Sequence, residues 1–378
     1  MSDLSSPRGA TPDQTGGDQA PAGGCAVVLG IETSCDDTGV ALVTAERSIL
    51  AERLGSQLDR HAPFGGVVPE IAARAHLEIL DRMIADVMAE AKLDFPDLAA
   101  IAVTAGPGLI GGLIGGLLTA KAIAAVHRRP LIAVNHLEAH ALTARLTDAD
   151  LDFPYLLLLV SGGHCQLLMV QGVGRYRRLG TTLDDALGEA YDKAAKMLGL
   201  GYPGGPAVEA AACSGDPLAY DFPRPMSGKS NCHFSFSGLK TALRQTVQRL
   251  GPESLEPPYI NDLTASFQAA AIDSLLDRTA RAIKLSQNVN SPPQALVVAG
   301  GVAANAYLSE RLSALADSAR LRLVVPPPKL CTDNGVMIAW TGIERLTLGL
   351  TDDLTARARA RWPLDQHAEP VLGAGVKA

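Results

Sequence analysis

Two histidines, His136 and His140, stand one helical turn apart in a chain of 378 residues that contains only eight histidines. Residues at positions i and i+4 lie on one face of a helix, so both imidazoles can reach the same metal ion. The pair follows the apolar segment 130–134 (PLIAV), which predicts a strand leading into a helix. A surface helix that carries two histidines without a metal is the alternative, and a third ligand must decide between them.

Asp333 is the candidate third ligand. It lies in segment 326–335 (PPPKLCTDNG), where a proline-stiffened loop precedes the apolar helical run 336–340 (VMIAW). The ordinary role of an aspartate at this place is to cap the helix that follows. If Asp333 instead meets the histidine pair, two imidazoles and one carboxylate leave coordination positions open for substrate, as in catalytic iron(II) and zinc sites.

Segment 136–140 (HLEAH) also invites comparison with the HExxH zinc proteases. In that motif the catalytic glutamate immediately follows the first histidine. Here Leu137 holds that position, and Glu138 is predicted to point away from the face that carries the histidines. The metalloprotease interpretation therefore lacks its base.

Strands that end in glycine-rich or polar turns recur in the two halves of the chain. Segments 26–32 (AVVLGIE) and 155–160 (YLLLLV) each lead into a polar turn and a returning strand. Each half also has a later strand that ends in a glycine turn before a helix, at residues 100–108 and 295–305. This pattern predicts an α/β fold of two duplicated lobes around a central cleft, with ligands at the carboxyl ends of the strands.

The predicted organisation has four parts. They are a disordered tail at 1–24, an N-terminal lobe with the histidines at 25–152, a C-terminal lobe with nucleotide-binding turns at 153–345, and a C-terminal segment and tail at 346–378. The apolar run 109–126 has the length of a membrane span, but Lys121 interrupts it, and a buried helix is the prediction. We therefore expect no membrane association.

Composition favours a well-buried enzyme, with 47% apolar and 19% charged residues. A net charge of −7 argues against a protein that binds nucleic acid on its own, because that affinity comes mainly from neutralised phosphates. The six cysteines are scattered without a CxxC motif, which favours reduced thiols and a cytoplasmic location.

Glycine turns at helix starts are suited to phosphate, because their backbone N–H groups are free to donate. Segment 106–111 (GPGLIG) fits the dinucleotide pattern, but the next strand ends in Asn135 instead of an acidic residue, so nicotinamide binding is not expected. The sequence has no P-loop. Asp192, in the amphipathic helical segment 184–200, is a candidate ligand for ribose hydroxyls, with a solvent-facing charge as the alternative.

Several segments together resemble one family, the TsaD/Kae-type proteins, which transfer a threonylcarbamoyl group to tRNA and were formerly described as O-sialoglycoprotein endopeptidases. The segments are 30–38 (GIETSCDDT), 65–70 (GGVVPE), 105–109 (AGPGL), 135–140 (NHLEAH), 159–164 (LVSGGH), 234–240 (FSFSGLK) and 299–305 (AGGVAAN). The resemblance extends from about Val27 to about Trp362. It implies an actin-like ATPase (ASKHA) fold, shared with sugar kinases and Hsp70.

The resemblance also implies a reaction: L-threonylcarbamoyl-AMP and tRNA adenosine-37 give N6-threonylcarbamoyladenosine-37 (t6A) and AMP, in tRNAs that read ANN codons. It implies His136, His140 and Asp333 as ligands of iron(II), with Zn²⁺ or Mg²⁺ as alternatives. The nucleotide-substrate positions that it implies are Leu159, Val160, Ser161, Gly162, Gly163, Asp192, Gly205, Glu209 and Asn305. For the proton acceptor, Glu32, Asp36 and Asp37 are candidates, with buried structural carboxylates as the alternative.

The implied partners are a TsaB-like inactive paralogue in a heterodimer and a TsaE-like P-loop ATPase in a transient complex. The predicted helix at 77–88 is apolar on one side, so it either packs in the core or contributes to such an interface. Three other functions stay open. They are a phosphotransferase or ATPase of the same fold, which would need Mg²⁺ and ATP, a metalloprotease, and an inactive scaffold paralogue.

Overall fold

The computed structural model describes residues 25–64, 66–287 and 291–371. The tail predicted to be disordered, residues 1–24, lies outside the described residues, as do residues 372–378. Ten strands form two sheets of five. The strands are β1 (Val27–Glu32), β2 (Asp37–Thr44), β3 (Ile49–Ser56), β4 (Ala100–Gly106), β5 (Leu131–Asn135), β6 (Tyr155–Val160), β7 (Cys165–Gly172), β8 (Arg175–Thr181), β9 (Ala295–Ala299) and β10 (Arg322–Val324).

The two sheets have the same topology. The first sheet has the order β3-β2-β1-β4-β5. The second, read from the corresponding edge, has the order β8-β7-β6-β9-β10. In each sheet the first three strands in sequence form an antiparallel meander. The fourth strand pairs in parallel with the first, and the fifth pairs in parallel with the fourth. Both central strands are buried along their whole length, which explains their continuous apolar sequences. The predicted α/β fold with two duplicated lobes is confirmed.

Eleven helices are described. They are α1 (Leu58–His61), α2 (Pro69–Ala91), α3 (Ile110–His127), α4 (His136–Thr147), α5 (Leu187–Leu198), α6 (Gly204–Ala212), α7 (Ser237–Leu250), α8 (Tyr259–Gln287), α9 (Ala306–Ser318), α10 (Pro328–Cys331) and α11 (Gly335–Thr347). Short 3-10 turns occur at Ala62–Phe64, Phe95–Asp97, Gly251–Leu255 and Gly301–Ala304.

Helices α4 and α11 form the middle layer of the molecule. α11 covers the first sheet, because Val336 and Trp340 pack in one buried cluster with β1, β2 and β4. α4 contributes Ala139 and Leu142 to that cluster and Leu137 to the cluster on the second sheet. The outer face of the first sheet is covered by α2 and α3, and the outer face of the second by α5 to α9. α11 therefore follows the second sheet in sequence but packs on the first, so the packing crosses the predicted lobe boundary.

Helix α3 corresponds to the apolar run at 109–126. Among the described residues it is the one helix with the length and composition to cross a membrane, and 39% of it is buried in this fold. Leu113 and Ala120 are buried, whereas Ile114 and Leu118 are exposed beside α2. The predicted burial therefore holds for one face only.

The segment after α11 runs along the edge of the first sheet. The backbone N–H of Asp352 donates to the Leu131 carbonyl at 2.8 Å, and that of Arg359 donates to the Ala105 carbonyl at 2.7 Å. The amide of Asn135 donates to the Trp362 carbonyl at 2.9 Å. These bonds hold the segment against the outer edge of β5 and the end of β4, immediately before the histidine helix.

Candidate functional site

The first candidate site, here called the metal cluster, consists of His136, His140 and Asp333. The atom Oδ1 of Asp333 lies 3.1 Å from Nε2 of His140 and 3.4 Å from Nε2 of His136. One ligand atom from each residue lies within 4.8 Å of the others, and no other metal-binding group of this kind occurs in the described part of the chain. Two ligands bound to one ion at about 2.1 Å are themselves about 3.0–3.4 Å apart. The three side chains therefore fit a shared divalent cation.

The loop before α11 is shaped so that Asp333 is free for this cluster. Asn334, not Asp333, caps α11, because its Oδ1 accepts from the Met337 N–H at 2.9 Å. Its amide also donates to the Thr332 carbonyl at 2.7 Å, which fixes the turn. Gly335 packs on β2, where an added Cβ would lie 2.5 Å from the carbonyl carbon of Val40. The alternative role of Asp333 as the helix cap is therefore excluded.

Glu32 orients His136 from the end of β1. Its carboxylate is 0% exposed and accepts from His136 Nδ1 at 3.0 Å, from the Thr104 hydroxyl at 2.5 Å and from the Ser34 backbone N–H at 2.5 Å. A carboxylate that accepts from Nδ1–H leaves Nε2 as the ligand nitrogen, facing Asp333. By contrast, Nδ1 of His140 is buried without a hydrogen-bond partner among the described residues. Of the two histidines, only His136 thus has its ring orientation fixed by a hydrogen bond at Nδ1.

The charges of the cluster favour a cation. Burial lowers the pKa of His136, but the negative charges of Asp333 and Glu32 outweigh burial and hold this pKa well above its usual value. Burial raises the pKa of Asp333, but the charge and hydrogen bonds of the two histidines hold this pKa well below its usual value. The pocket therefore stabilises positive charge between the carboxylates.

Glu138 takes no part in the metal cluster. It is buried on the other side of α4, where Oε1 accepts from the Gly174 N–H at 2.8 Å and from the Tyr176 hydroxyl at 2.9 Å. Its Oε2 lies 3.1 Å from Nη1 of Arg345 on α11. These contacts use both oxygens to hold α4 in place, so Glu138 is not positioned as the base of a metalloprotease.

The two turns predicted to bind nucleotide lie side by side at the carboxyl end of the second sheet. Strand β6 leads into the turn at 161–164, where Gly162 and Gly163 are exposed and an added Cβ would meet nothing within 4 Å. Gly300 directly follows β9, has φ +93° and packs so closely that a Cβ would lie 2.3 Å from the Val160 carbonyl oxygen. A Cβ on Gly301 would lie 3.7 Å from the methyl of Thr332, next to Asp333. The glycine turns and the metal cluster therefore adjoin.

Some of the remaining residues predicted to bind nucleotide are accessible to a ligand, and others are buried or already bonded to the protein. The side chains of Leu159 and Val160 are buried in the core, so they can offer substrate only their backbone. Gly205 has open space where a Cβ would point, and Ser161 is half-buried at the start of its turn. The structure thus leaves Ser161, Gly162, Gly163 and Gly205 accessible.

Three polar side chains of the predicted set already hold protein groups. Asp192 on α5 accepts from the Gly204 N–H at 2.8 Å, and Glu209 on α6 accepts from the Ala306 N–H at 2.7 Å. Asn305 caps α9 by accepting from the Leu308 N–H at 2.8 Å and donates to Gln268 at 3.0 Å. These residues tie helices α5, α6, α8 and α9 together around the glycine turns.

The first turn of the N-terminal lobe faces this region. Burial and the charge of Asp36 raise the pKa of Asp37 to about 6. Burial, with added charge from Asp36 and Asp192, raises the pKa of Tyr202 to about 12. The charge of Asp36 also contributes to raising the pKa of Asp192, so Asp36 of the first lobe acts on groups of the second.

Sequence reasoning missed Ser34 and Thr104, the partners of Glu32. The register pairs Ile31 with Val103, so Glu32 and Thr104 are neighbours at the carboxyl ends of adjacent parallel strands. A polar residue at the end of each buried strand was the available signal. Tyr202 was also missed, and no spacing pattern singles it out.

Comparisons with known proteins agree on one family. The family model for TsaD, tRNA N6-adenosine threonylcarbamoyltransferase, matches residues 48–340. A protein of that name from Rhodopseudomonas palustris (strain HaA2) is 60% identical over 346 residues, 90% of this chain and 94% of the relative. Another from Methylocapsa acidiphila is 59% identical over 348 residues, 91% of this chain and 98% of the relative.

Two solved structures are similar in fold. Full-length HypF in its phosphate- and nucleotide-bound form gives a TM-score of 0.56 at 12% identity, over 85% of this chain and 56% of that chain. T. kodakarensis HypF gives 0.57 at 14% identity, over 85% of this chain and 48% of that chain. These likenesses concern the fold alone, and with the duplicated sheets they confirm the predicted actin-like architecture.

Proposed function

The chain belongs to the tRNA N6-adenosine threonylcarbamoyltransferase family, and from this premise we propose that it transfers the threonylcarbamoyl group of L-threonylcarbamoyl-AMP to N6 of adenosine-37 in tRNA, releasing AMP. The acceptors would be tRNAs that read ANN codons, and the product would be t6A. The observation that carries the proposal is the metal cluster of His136, His140 and Asp333 beside the glycine turns.

We propose that these three residues hold one Fe²⁺ per subunit. Zn²⁺ suits the same donors, whereas Mg²⁺ is less suited because it prefers oxygen ligands to imidazole. When bound, the ion supplies a Lewis acid that polarises a carbonyl or phosphate oxygen of the substrate. Glu32 keeps Nε2 of His136 directed at that position, so its role is positioning and not proton transfer.

The other residues orient two weakly reactive partners. An aromatic exocyclic amine is a poor nucleophile, so correct placement matters, and it can supply on the order of 7–11 kcal/mol. The exposed N–H groups of Gly162 and Gly163 would bind the AMP phosphate, and Asp192 would bind the ribose through its second oxygen. Asn305 and Glu209 would act indirectly by holding the helices around this site.

Asp37 is the proton acceptor that we favour. Its pKa of about 6, raised by burial and Asp36, lies near the pH at which a general base works best. Glu32 already accepts three hydrogen bonds, which makes it a weaker candidate.

An exposed apolar surface is formed by α2 and α3. Leu80 and Val87 of α2 pack in the core, but Leu77 is 61% exposed and lies beside Leu118 of α3, which is 60% exposed. These two leucines help to line a groove of about 400 Å³, and its lining includes Gly111 and Gly115. We propose that a TsaB-like paralogue covers this apolar surface as a heterodimer and that a TsaE-like P-loop ATPase binds the complex transiently.

A cytoplasmic location is part of the same proposal. The six cysteines are all free in the part of the chain that the structure describes, which suits a reducing compartment.

The decisive experiment is nucleoside mass spectrometry of tRNA after depletion of this protein. We expect t6A to disappear and to return with the wild-type gene. Complementation with His140→Ala or Asp333→Ala is expected to fail, and transfer from preformed L-threonylcarbamoyl-AMP should fall about 100-fold or more. Full activity of both variants would contradict the metal assignment. Unchanged t6A after depletion, with phosphate release from ATP or cleavage of a glycoprotein, would instead support one of the alternative functions.

A further inference from the structure

A basic groove lies between α5 and α7, outside the metal cluster and the glycine turns. It encloses about 410 Å³ and is lined by Lys193, Lys196, Met197, Lys240, Thr241 and Arg244. Lys193 and Lys196 are three residues apart on α5, and Lys240 and Arg244 are four apart on α7. Each pair therefore lies on one face of its helix, and the two faces meet in the groove. In a chain of net charge −7, this concentration of four cations stands out.

The two ends of the basic groove differ in how their charge is neutralised. At one end Lys193 and Lys240 both bind Asp185, at 2.6 and 3.0 Å, and Lys193 also binds Glu189 at 2.9 Å. These pairs hold the two helices together. At the other end Lys196 and Arg244 are exposed, and within the described chain neither makes an ion pair. The positive charge that is available to a ligand is therefore that of Lys196 and Arg244.

The basic groove and the proposed nucleotide site lie on two sides of the same helix, α5. Gly188, in the first turn of α5, packs against the turn at Gly162, where its Cβ would lie 2.8 Å from the Gly162 Cα. Asp192 faces Gly204 at the cleft, whereas the adjacent Lys193 faces the groove. One short helix thus separates the site of chemistry from the basic surface, by about the 10–12 Å diameter of a helix with its side chains.

Resting on the function proposed above, we infer that the basic groove binds the sugar–phosphate backbone of the tRNA whose adenosine enters the cleft. The charge is complementary to phosphate, and the alkyl stems of the lysines and Met197 give apolar walls that strengthen the field inside the groove. Lys196 and Arg244 would contact phosphates directly, and their contacts would fix the register of the strand without reading bases.

The test is the double variant Lys196→Gln/Arg244→Gln in the full-length chain assembled with its proposed partners, with purified tRNA as the probe. Binding is measured over a series of low salt concentrations, and transfer is measured with preformed L-threonylcarbamoyl-AMP. Loss of two phosphate contacts should reduce the slope of log K against log salt by about 1.4–1.8. We expect KM for tRNA to rise about 10-fold while kcat at saturating tRNA is unchanged.

Two controls make the result specific. Arg249→Gln/Arg320→Gln removes the same charge from exposed positions outside the groove and should leave the slope and KM as in the wild type. Lys196→Arg/Arg244→Lys keeps the charge and should restore binding. If the first variant binds tRNA like the control, the groove does not contact the backbone and the inference is wrong.

The outcomes for the groove and for the proposed function are distinguishable. Wild-type transfer with unaltered KM in the groove variant would overturn the groove and leave the function intact. Absence of threonylcarbamoyl transfer in the wild type, with the salt slope still reduced in the variant, would overturn the function and support tRNA backbone binding in the groove.

Discussion

Nδ1 of His76 lies 2.7 Å from the hydroxyl of Thr38, which joins α2 to the first turn of the site. Nε2–H of the same ring donates to the Cys35 carbonyl at 3.1 Å, so Nδ1 accepts from Thr38. Burial lowers the pKa of His76, which agrees with a neutral ring in these roles. The helix with the exposed Leu77 is thus bonded directly to the turn that carries Asp36 and Asp37.

His76→Ala is expected to loosen that turn. The change removes these two hydrogen bonds and a longer one from the Gln57 amide to Nδ1 at 3.3 Å, and it leaves a cavity beside Gly112, so the free energy of unfolding should fall by about 2–4 kcal/mol. Thr38→Val removes one hydrogen bond and should cost about 1 kcal/mol. Denaturant unfolding measures both. Transfer activity should fall in the same order, and wild-type activity of folded His76→Ala would show that His76 is not coupled to the site.

Glu32→Gln is expected to weaken metal binding by about 10–100-fold. The side-chain NH₂ of the glutamine would replace one of the two carboxylate oxygens. It would then face either the Ser34 N–H or the donors of His136 and Thr104, so at least one hydrogen bond would be lost in either orientation. Competition with a chromophoric Zn²⁺ chelator measures the affinity. The exposed Glu46→Gln is the matched control. Wild-type affinity in Glu32→Gln would mean that Glu32 does not orient the His136 ring.

Glu138→Ala separates stability from metal binding. It leaves Arg345 without its buried partner, which should lower the free energy of unfolding by about 3–5 kcal/mol. The protein that remains folded should still bind one Zn²⁺ per chain. Glu70→Ala breaks an exposed pair with Arg74 and should change stability by about 0.5 kcal/mol or less. If Glu138→Ala lost the metal and kept its stability, Glu138 would act in metal binding and not in holding α4.

Asp37→Asn is expected to stabilise the protein at neutral and higher pH. The pKa of Asp37 is raised to about 6, so between its unfolded value and pH 6 the folded state binds more protons than the unfolded chain. Wild-type stability from this group therefore falls as pH rises through that window. With allowance for solvent screening of a partly exposed side chain, the gain at pH 8 should be about 1–2 kcal/mol, with none at pH 4.

Unfolding curves at several pH values test the Asp37 prediction, with the exposed Asp317→Asn as control. A gain that is equal at pH 4 and pH 8 would rule out titration of Asp37 as its cause. If Asp37 also accepts the reaction proton, transfer by Asp37→Asn should fall by about 10²-fold or more.

The duplicated sheets could be predicted because the same order of apolar strands and turns occurs twice. The position of α11 could not, since the apolar pattern of Val336 to Trp340 predicts burial without naming the sheet that it covers. The grouping of Asp333 with the histidines was predicted as one of two roles, and the cap of Asn334 left it free. The capping hydrogen bond from the Leu308 N–H to Asn305 could not be predicted from the sequence, because an asparagine at the start of a helix can either cap the helix or bind a ligand.

The histidines lie on α4, Asp333 lies just before α11, and these two helices pack together between the sheets. An ion held there would cross-link these two helices in the interior of the molecule, in addition to the apolar side chains that already pack between them. Because the unfolded chain cannot offer the three ligands together, occupancy of the cluster would also raise the free energy of unfolding of the whole protein.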